Sequence, residues 1–372
     1  MRVLVAPDKF KGTLTGRQAG EAIAAGLRRA RPDAEVVVLP IADGGEGTLE
    51  AAVSAGAELR RTEVRGPLDD TVTAGWALFD DGRAVVETAL ASGLALVDPD
   101  PRTAAAAHCW GVGELVAAAL DAGARELVLG IGGSAMTDGG SGALRALGAR
   151  LLDADGAEVP LGGAALGRAA TLDVSGLDPR LASTRISIAC DVDNPLTGPE
   201  GAAAVFGPQK GADPATVRLL DDALTRWAEL LRATTGVDVV VPGSGAAGGF
   251  PAAFLATTPT RLVNGFDLVA ELVGLADAVA GVDLVLTGEG SLDAQSLRGK
   301  GPIGVAELAR QHGIDALALA GVVSAGAEEL AARGVVGSAA LVEVAPTREA
   351  ALTEAARWLE EAAARLLTAH TR

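Results

Sequence analysis

The chain has 372 residues, 49% of them hydrophobic, which is enough to bury a substantial core and to form two domains. A formal net charge of −17 with 3% aromatic residues argues against nucleic-acid binding, which needs cationic surfaces and stacking rings. No apolar run reaches the roughly 18 residues of a membrane span, and a strand pattern begins directly after Met1. We therefore expect a cytoplasmic protein that has no signal peptide and does not bind membranes.

The first predicted elements alternate between strands and helices. Residues 2–6 and 35–39 are continuous apolar runs, typical of strands in a parallel sheet. Thr15 is a predicted helix N-cap, and Gln18 three residues later would complete a capping box. A second predicted helix covers 46–54. This opening predicts a parallel sheet with helices on both faces.

The pattern changes in the middle of the chain. Segments 58–65, 71–79 and 83–89 lie close together and are rich in β-branched residues, which predicts an antiparallel meander. The later predicted elements of the middle part are helix 110–122, strand 126–131, helix 140–148, strand 185–190 and helix 214–233.

The opening pattern returns near residue 282. The predicted elements there are strand 282–287, helix 302–311, strand 315–320, helix 325–333, strand 337–343 and helix 349–368. The simplest architecture is therefore a flavodoxin- or Rossmann-like α/β domain built from residues 1–65 and 283–372. A second α/β domain, residues 66–282, would be inserted into it, with the ligand site in the cleft between the domains.

Polar clusters follow five of the predicted strands. In open parallel sheets ligands bind beyond the carboxyl ends of the strands, so we expect these loops to converge on one positively charged site. Glycines ahead of a helix would offer backbone N–H groups to an anion, and Asp191 and Asp193 alternate so that both could bind one Mg²⁺. Such groups together are what phosphoryl transfer requires. The five clusters are 7–12, 42–48, 132–140, 191–196 and 288–293.

Each cluster taken alone also has a structural explanation. Glycines after strands are common turn residues, Asp43 and Asp138 could simply cap the helices that follow, and Asp191 could form an Asx turn. Cysteine and histidine show no metal-ligand or nucleophile spacing. We interpret Cys109 and Cys190 as reduced core residues.

Lysine is rare, with four lysines against 27 arginines. Three of the four, Lys11, Lys210 and Lys300, are followed directly by glycine. A compact ammonium in a glycine loop suits close approach to a phosphate. Chance and ordinary turn glycines are the alternative explanation.

One glycine motif points to a different function. Gly243, Gly245 and Gly248 form a G-x-G-x-x-G after the apolar run 237–241, which taken alone predicts an NAD-dependent oxidoreductase. We favour this hypothesis less, because Pro251 interrupts the helix that should follow. The phosphate-binding motif G-x-x-x-x-G-K-[ST] does not occur in the sequence.

Six segments occur in the order PDKFKGTLT, PIADGGEGT, GIGGSAMTDGG, CDVDNPLTGPEGA, FGPQKGA and GEGSLDAQSLRGKGP. Together they resemble the pattern of the bacterial glycerate kinases, which form 2-phosphoglycerate from D-glycerate and ATP. The resemblance runs from about Val3 to the last helix. It implies an ATP- and Mg²⁺-dependent kinase of two α/β domains, and it implies that GSGAAGGF is a family glycine loop and not a nicotinamide site.

The chain departs from the family pattern at two places. Phe250 and Pro251 follow the family glycine loop, which puts the local helix in doubt. Lys9 stands where serine is common, which makes Lys11 the safer functional lysine.

Our residue assignment is a hypothesis built on loop chemistry. Lys11 or Arg298 would bind the carboxylate of glycerate, and Asp43 or Asp8 would be the general base. The predicted site comprises catalytic Asp8, Lys11, Asp43 and Asp191; substrate-binding Lys9, Ser134, Arg298 and Lys300; nucleotide-binding Gly44, Gly45, Gly132, Gly133, Lys210 and Glu289; and metal-binding Asp191 and Asp193.

Several alternatives remain open at this stage. The phosphorylated hydroxyl could be the 2- or the 3-position, and the protein could be a monomer or a homodimer. A non-catalytic module that binds anions or nucleotides would retain the same loops without turnover.

Overall fold

The structure is a computed structural model of the chain that describes residues 1–294, 296–298 and 301–371. The predicted site residue Lys300 and the side chain of Arg298 lie outside the described residues.

The described residues contain three sheets. Their strands are β1 (Arg2–Pro7), β2 (Glu35–Val38), β3 (Glu58–Arg65), β4 (Thr71–Leu78), β5 (Arg83–Glu87), β6 (Glu126–Gly130), β7 (Arg150–Leu152), β8 (Thr171–Asp173), β9 (Arg185–Ala189), β10 (Thr260–Val263), β11 (Leu284–Leu292), β12 (Asp315–Val323) and β13 (Val335–Ala340).

Helices alternate with the strands along most of the chain. They are α1 (Gly16–Ala30), α2 (Thr48–Ser54), α3 (Thr88–Ser92), α4 (Pro101–Ala106), α5 (Trp110–Asp121), α6 (Ser141–Ala146), α7 (Ala202–Phe206), α8 (Pro214–Thr235), α9 (Ala246–Gly249), α10 (Pro251–Thr257), α11 (Gly265–Leu272), α12 (Leu275–Ala280), α13 (Pro302–Gln311), α14 (Ala327–Ala332), α15 (Leu341–Val344), α16 (Arg348–Thr353) and α17 (Ala355–His370).

Five parallel strands form the first sheet, in the order β2-β1-β11-β12-β13. Numbered among themselves, these strands have the order 2-1-3-4-5, which is the flavodoxin-like arrangement. The strand order reverses between β1 and β11, where Val3 pairs with Leu284. Ligands of such sheets bind at the carboxyl ends of the strands beside this reversal. The predicted α/β fold with a parallel sheet is confirmed.

Both faces of the first sheet are covered, because its central strands β1, β11 and β12 contain the continuous apolar stretches 3–6, 284–286 and 316–320. Val3 and Val5 pack in the cluster that contains the core residues of α1 and α17, while Leu4 packs on the opposite face in the cluster that contains those of α13. Helix α1 begins at the predicted cap: Thr15 Oγ1 accepts a hydrogen bond from the Gln18 N–H, and the Gln18 side chain accepts one from the Thr15 N–H.

The second sheet has six strands in the order β10-β9-β6-β5-β4-β3. Strands β5, β6, β9 and β10 are parallel, and β3, β4 and β5 form the predicted antiparallel meander. Strands β7 and β8 form a separate two-stranded sheet. Helix α10 begins at Pro251, so this proline occupies the first turn of a helix that the sequence interpretation had placed in doubt.

The chain divides into two compact units. Unit 1 comprises Met1–Asp43, Glu50–Gly56 and Phe266–Arg372, and unit 2 comprises Gly44–Leu49 and Ala57–Gly265. These bounds differ from the predicted ones because β3 pairs with β4 in the second sheet. Helices α11 and α12 in turn place core residues against the first sheet. No helix in the described part of the chain is long and apolar enough to cross a membrane.

Candidate active site

An acidic pocket lies in unit 1 at the carboxyl ends of β1 and β11. Asp8 directly follows β1, and Glu289 lies on β11 just beyond Gly288, the last residue that pairs with β1. The pocket has a volume of about 240 Å³ and is lined by Asp8, Asp43, Glu289, Ser291, Asp293, Ser296 and Gly301. Three loops that the sequence predicted to form a site, those after β1, β2 and β11, therefore contribute carboxylates to one pocket.

Lys9 is in contact with two of these carboxylates. Its Nζ lies 3.8 Å from Asp8 Oδ1 and 3.7 Å from Asp43 Oδ1, and its side chain is only 22% exposed. Lys11, which the family resemblance favoured as the functional lysine, is exposed. The described lining of this pocket is acidic. These residues of unit 1 therefore do not form the positively charged site that we expected.

Glu289 has a perturbed acidity. Burial is the main cause that raises its pKa to about 7, and the negative charges of Asp8, Asp293 and Asp43 add to it, while a hydrogen bond from Ser296 opposes it. No donor among the described residues lies within hydrogen-bond distance of Glu289 Oε1. A carboxyl group with a pKa near neutrality is suited to accept a proton in catalysis.

In unit 2, two glycine loops approach each other closely at the carboxyl end of the second sheet. A Cβ atom on Gly132 would lie 2.9 Å from Gly45 Cα, and one on Gly44 would lie 2.3 Å from Ala189 Cβ. Only glycine permits this packing. Gly132 and Gly133 remain exposed, so their backbone is accessible to an anion.

Glu87, at the end of β5, holds the first of these loops. Its Oε1 accepts hydrogen bonds from the backbone N–H groups of Gly47 at 3.1 Å and Leu49 at 2.7 Å. Glu87 is 5% exposed, and these two N–H groups lie at the start of α2. The sequence interpretation missed Glu87. The available signal was a charged residue at the end of an apolar strand.

Lys210 is buried against the loop after β6. Its Nζ donates to the backbone carbonyl of Met136 at 2.6 Å and to Ser134 Oγ at 3.3 Å. Burial lowers the pKa of Lys210 to about 7, and the charge of Asp138 opposes this effect. The ammonium therefore contacts the loop and not solvent, which differs from the phosphate contact expected from the Lys210-Gly211 sequence.

Glycine is required at position 211 for a reason that is independent of the contacts of Lys210. Gly211 has a φ of +95°, and a Cβ atom there would lie 2.4 Å from the backbone nitrogen of Asp100. Both the left-handed conformation and the close approach exclude a side chain. This Lys-Gly pair thus combines two independent packing requirements.

The two predicted metal ligands follow β9. Asp191 Oδ1 accepts hydrogen bonds from Asn264 Nδ2 at 2.7 Å and from the Gly265 N–H at 2.9 Å, while Asp193 is exposed. Within the described ranges, no group of three or more acidic, histidine or cysteine side chains is arranged to hold a metal ion. Asp191 therefore ties the loop after β9 to the segment after β10.

The G-x-G-x-x-G glycines serve packing between loops. Residues 237–241 do not form a strand, so the structural context of a dinucleotide site is missing here. A Cβ atom on Gly245 would lie 2.1 Å from the Pro195 carbonyl oxygen, and one on Gly248 would lie 2.1 Å from that of Met136. These glycines let their loop approach the loops after β9 and β6.

Comparison with known proteins agrees with this architecture. The model of the glycerate kinase family matches residues 3–371. The chain is 43% identical over 366 residues to the glycerate kinase of Bacillus subtilis (strain 168), with 98% of this chain and 96% of that protein covered. It is 45% identical over 325 residues to the glycerate 2-kinase of Escherichia coli (strain K12), with 86% and 85% covered.

A solved structure shows the same likeness over the full length. The crystal structure of a candidate glycerate kinase 2 from Salmonella typhimurium LT2 has a TM-score of 0.88 and 43% sequence identity, covering 100% of this chain and 98% of that one. These matches agree in family across nearly every described element, and the chain belongs to the glycerate kinase family.

Proposed function

We propose that this protein transfers the γ-phosphoryl group of ATP to the 2-hydroxyl of D-glycerate, giving 2-phosphoglycerate and ADP. The observation that carries the proposal is membership of the glycerate kinase family over residues 3–371, with a glycerate 2-kinase among the 45% identical relatives. The glycine loops and the acidic pocket supply the two kinds of group that phosphoryl transfer needs.

The glycine loops of unit 2 are the proposed phosphate-binding elements. The exposed backbone of Gly132 and Gly133 forms a turn after β6, and the neighbouring Gly44 is packed too closely for a side chain. Backbone N–H groups in such loops stabilise the negative charge of phosphate oxygens. Ser134 lies directly after them and is 7% exposed.

The acidic pocket of unit 1 is the proposed place where the acceptor hydroxyl loses its proton. As the oxygen–phosphorus bond to the acceptor forms and the bond to ADP breaks, the hydroxyl proton moves to a carboxylate. Asp8 and Asp43 were the sequence candidates. Glu289 is the stronger one, since its pKa is raised to about 7. The glycerate carboxylate would need a cation there, and Lys9, whose ammonium contacts Asp8 and Asp43, is the candidate.

Mg²⁺ is proposed as the metal of the reaction. Asp191 and Asp193 would hold it, and because Mg²⁺ is usually bound by one or two carboxylates plus substrate phosphates and waters, two carboxylates fit this mode of binding. The ion would neutralise charge on the phosphate oxygens. Lys11, Arg298 and Lys300 remain proposed contacts for glycerate or phosphate.

Measuring ADP release in a coupled assay with ATP, Mg²⁺ and D-glycerate tests the function. We expect turnover that depends on all three, and ³¹P NMR of the product should show 2-phosphoglycerate. Nucleotide binding without ADP release would contradict the proposal in favour of a non-catalytic module. A 3-phosphoglycerate product would contradict the position of transfer, and a parallel reaction with NAD in place of ATP should show no turnover.

A further inference from the structure

Among the described residues, the ammonium of Lys210 donates hydrogen bonds to a single loop. Both of its hydrogen bonds end on the segment after β6, one on a backbone carbonyl and one on a side-chain hydroxyl. These acceptors belong to Met136 and Ser134, immediately after the exposed glycines Gly132 and Gly133. Lys210 thus holds the end of the proposed phosphate-binding loop from the inside of unit 2.

Backbone hydrogen bonds to residues 92–94 also hold this loop, and at its end the side chain of Asp138 accepts hydrogen bonds from the backbone of Cys109 and Gly142. The Leu94 N–H donates to the Gly133 carbonyl at 2.8 Å, and the Ala135 N–H donates to the Ser92 carbonyl at 2.8 Å. The loop is therefore fixed between the segment after α3 and the ammonium of Lys210. Loss of the ammonium would leave the Met136 carbonyl and the Ser134 hydroxyl without this donor.

A buried lysine stabilises the folded state less than an apolar side chain would at the same core position. Lys210 is 2% exposed, and none of its described contacts is an ion pair. The nearby Asp138 accepts hydrogen bonds from the backbone of Cys109 and Gly142. Because an unpaired buried ammonium destabilises the fold, while an apolar side chain would not, its presence calls for a functional reason.

The choice of lysine over arginine supports the same reading. Arginine is the usual cation of this chain, with 27 copies against four lysines. Two acceptors two residues apart on a buried loop suit a compact ammonium, whereas the wide planar guanidinium needs more space. The site therefore selects for the smaller cation.

We propose that Lys210 is a positioning residue of the kinase, whose buried ammonium fixes the loop 132–138 so that Gly132 and Gly133 present their backbone to the nucleotide phosphates. This inference rests on the proposed function. Lys210 itself does not touch the nucleotide. Its effect should therefore appear in nucleotide binding and in the mobility of the loop.

Lys210→Met tests the inference, because methionine fills a similar volume without donating a hydrogen bond. We expect the KM for ATP to rise at least tenfold, the KM for D-glycerate to change less than twofold, and amide hydrogen exchange in 132–137 to accelerate at least tenfold. The melting temperature should change little, because removal of a buried charge offsets the loss of two buried hydrogen bonds. A KM for ATP within twofold of the wild type in the folded variant would overturn the inference.

Trp227→Phe is the matched control. It removes a buried hydrogen bond of 2.9 Å to the Gly139 carbonyl, outside the loop that Lys210 holds. An equal rise of the KM for ATP in this control would mean that general loosening, not positioning, is measured, and it would also overturn the inference.

Two outcomes separate the inference from the function on which it rests. If Lys210→Met does not fold, Ser134→Ala decides: unchanged amide exchange in 132–137 contradicts the proposed support. If the wild type shows no kinase activity, the proposed function fails. Amide exchange and ATP binding by calorimetry then still test whether Lys210 orders the loop.

Discussion

Among single residues, Glu289 combines a buried carboxyl group with three neighbouring acids. Its pKa is raised from an ordinary value of 4.5 to about 7. Between these two values the folded protein binds the proton more tightly than the unfolded chain does. The stability contributed by this proton is fully present below about pH 4.5 and is lost as the pH rises through about 7.

Glu289→Gln is therefore expected to stabilise the protein at alkaline pH. At pH 8 the variant should melt a few degrees higher than the wild type, because it lacks a buried charge, and at pH 5 the difference should be much smaller. Thermal unfolding at both values measures this. Glu328→Gln, at an exposed helix position, is the control and should show little pH-dependent difference. An equal melting temperature of Glu289→Gln and wild type at pH 8 would contradict the raised pKa.

The same substitution should remove the catalytic base. We expect kcat/KM for D-glycerate in the wild type to increase as the pH rises through about 7, and Glu289→Gln to lower it by about 10²- to 10⁴-fold. Steady-state kinetics between pH 5.5 and 9 test this. A variant with nearly normal rates and an unchanged pH profile would transfer the role back to Asp8 or Asp43.

Lys9 and Lys11 can be compared directly. Lys9 contacts Asp8 and Asp43, whereas Lys11 is exposed. Lys9→Ala would remove the ammonium that contacts both carboxylates and should lower kcat/KM for D-glycerate more than tenfold, the scale of losing a charge-assisted contact of about 1.5–3 kcal/mol. Lys11→Ala should lower it less. The reverse order would restore Lys11 as the functional lysine.

At the scale of elements, the sequence predicted helices and strands from apolar runs and caps. It did not predict which distant segments pair. Helix α13 begins and ends as predicted at 302–311, because a proline in the first turn marks its start. Strand β10 was missed, since four residues of mixed polarity become a strand only by pairing with β9. The predicted helix 349–368 is divided at Glu354, and the predicted strand 337–343 ends at Ala340.

The candidate site, too, could be predicted from the sequence only in part. Which loops carry polar clusters follows from the sequence, because carboxyl ends of parallel strands share one edge of a sheet. The partners of individual side chains do not. Lys210 and Met136 are 74 residues apart, and their contact depends on the packing of the whole of unit 2. The raised pKa of Glu289 likewise arises mainly from its burial in the folded structure, with a further contribution from carboxylates on three loops.

The loop after residue 242 gives a prediction at this scale. Gly248 has a φ of +69°, and a Cβ atom would lie 2.1 Å from the Met136 carbonyl oxygen. Gly248→Ala should therefore destabilise unit 2 by about 2–4 kcal/mol, the sum of backbone strain and overpacking. Denaturant unfolding measures the change.

Gly236→Ala is the matched control for that substitution. Gly236 has a φ of +79° with no atom within 4 Å of its added Cβ, so only the backbone cost of the left-handed conformation, about 1–2 kcal/mol, should remain. Equal decreases in the free energy of unfolding of the two variants would show that the close approach to Met136 does not affect stability.

At the scale of the whole molecule, unit 1 is built from both ends of the chain and unit 2 almost entirely from the middle. The sequence indicated this arrangement through the return of the β/α pattern, but it placed the bounds by strand spacing and so misassigned β3. All strands of the second sheet occur before residue 264, whereas β11, β12 and β13 of the first sheet come later.

A chain ending at Gly265 should reflect this difference. We expect the amides of β5, β6 and β9 to remain protected from hydrogen exchange, because their sheet is complete, and those of β1 to exchange rapidly. Mass spectrometry of peptides from each strand measures both. Protection of β1 in the truncated chain would contradict the expectation.

The pairing of β1 with β11 affects how the protein folds during its synthesis on the ribosome. Val3 meets Leu284 across 281 residues of sequence. At a synthesis rate of about 5–20 residues per second, this strand waits roughly 15–60 seconds for its partner. During that interval a strand with the apolar stretch 3–6 has one edge without hydrogen-bond partners, and such a nascent strand is prone to misassembly and to binding by chaperones.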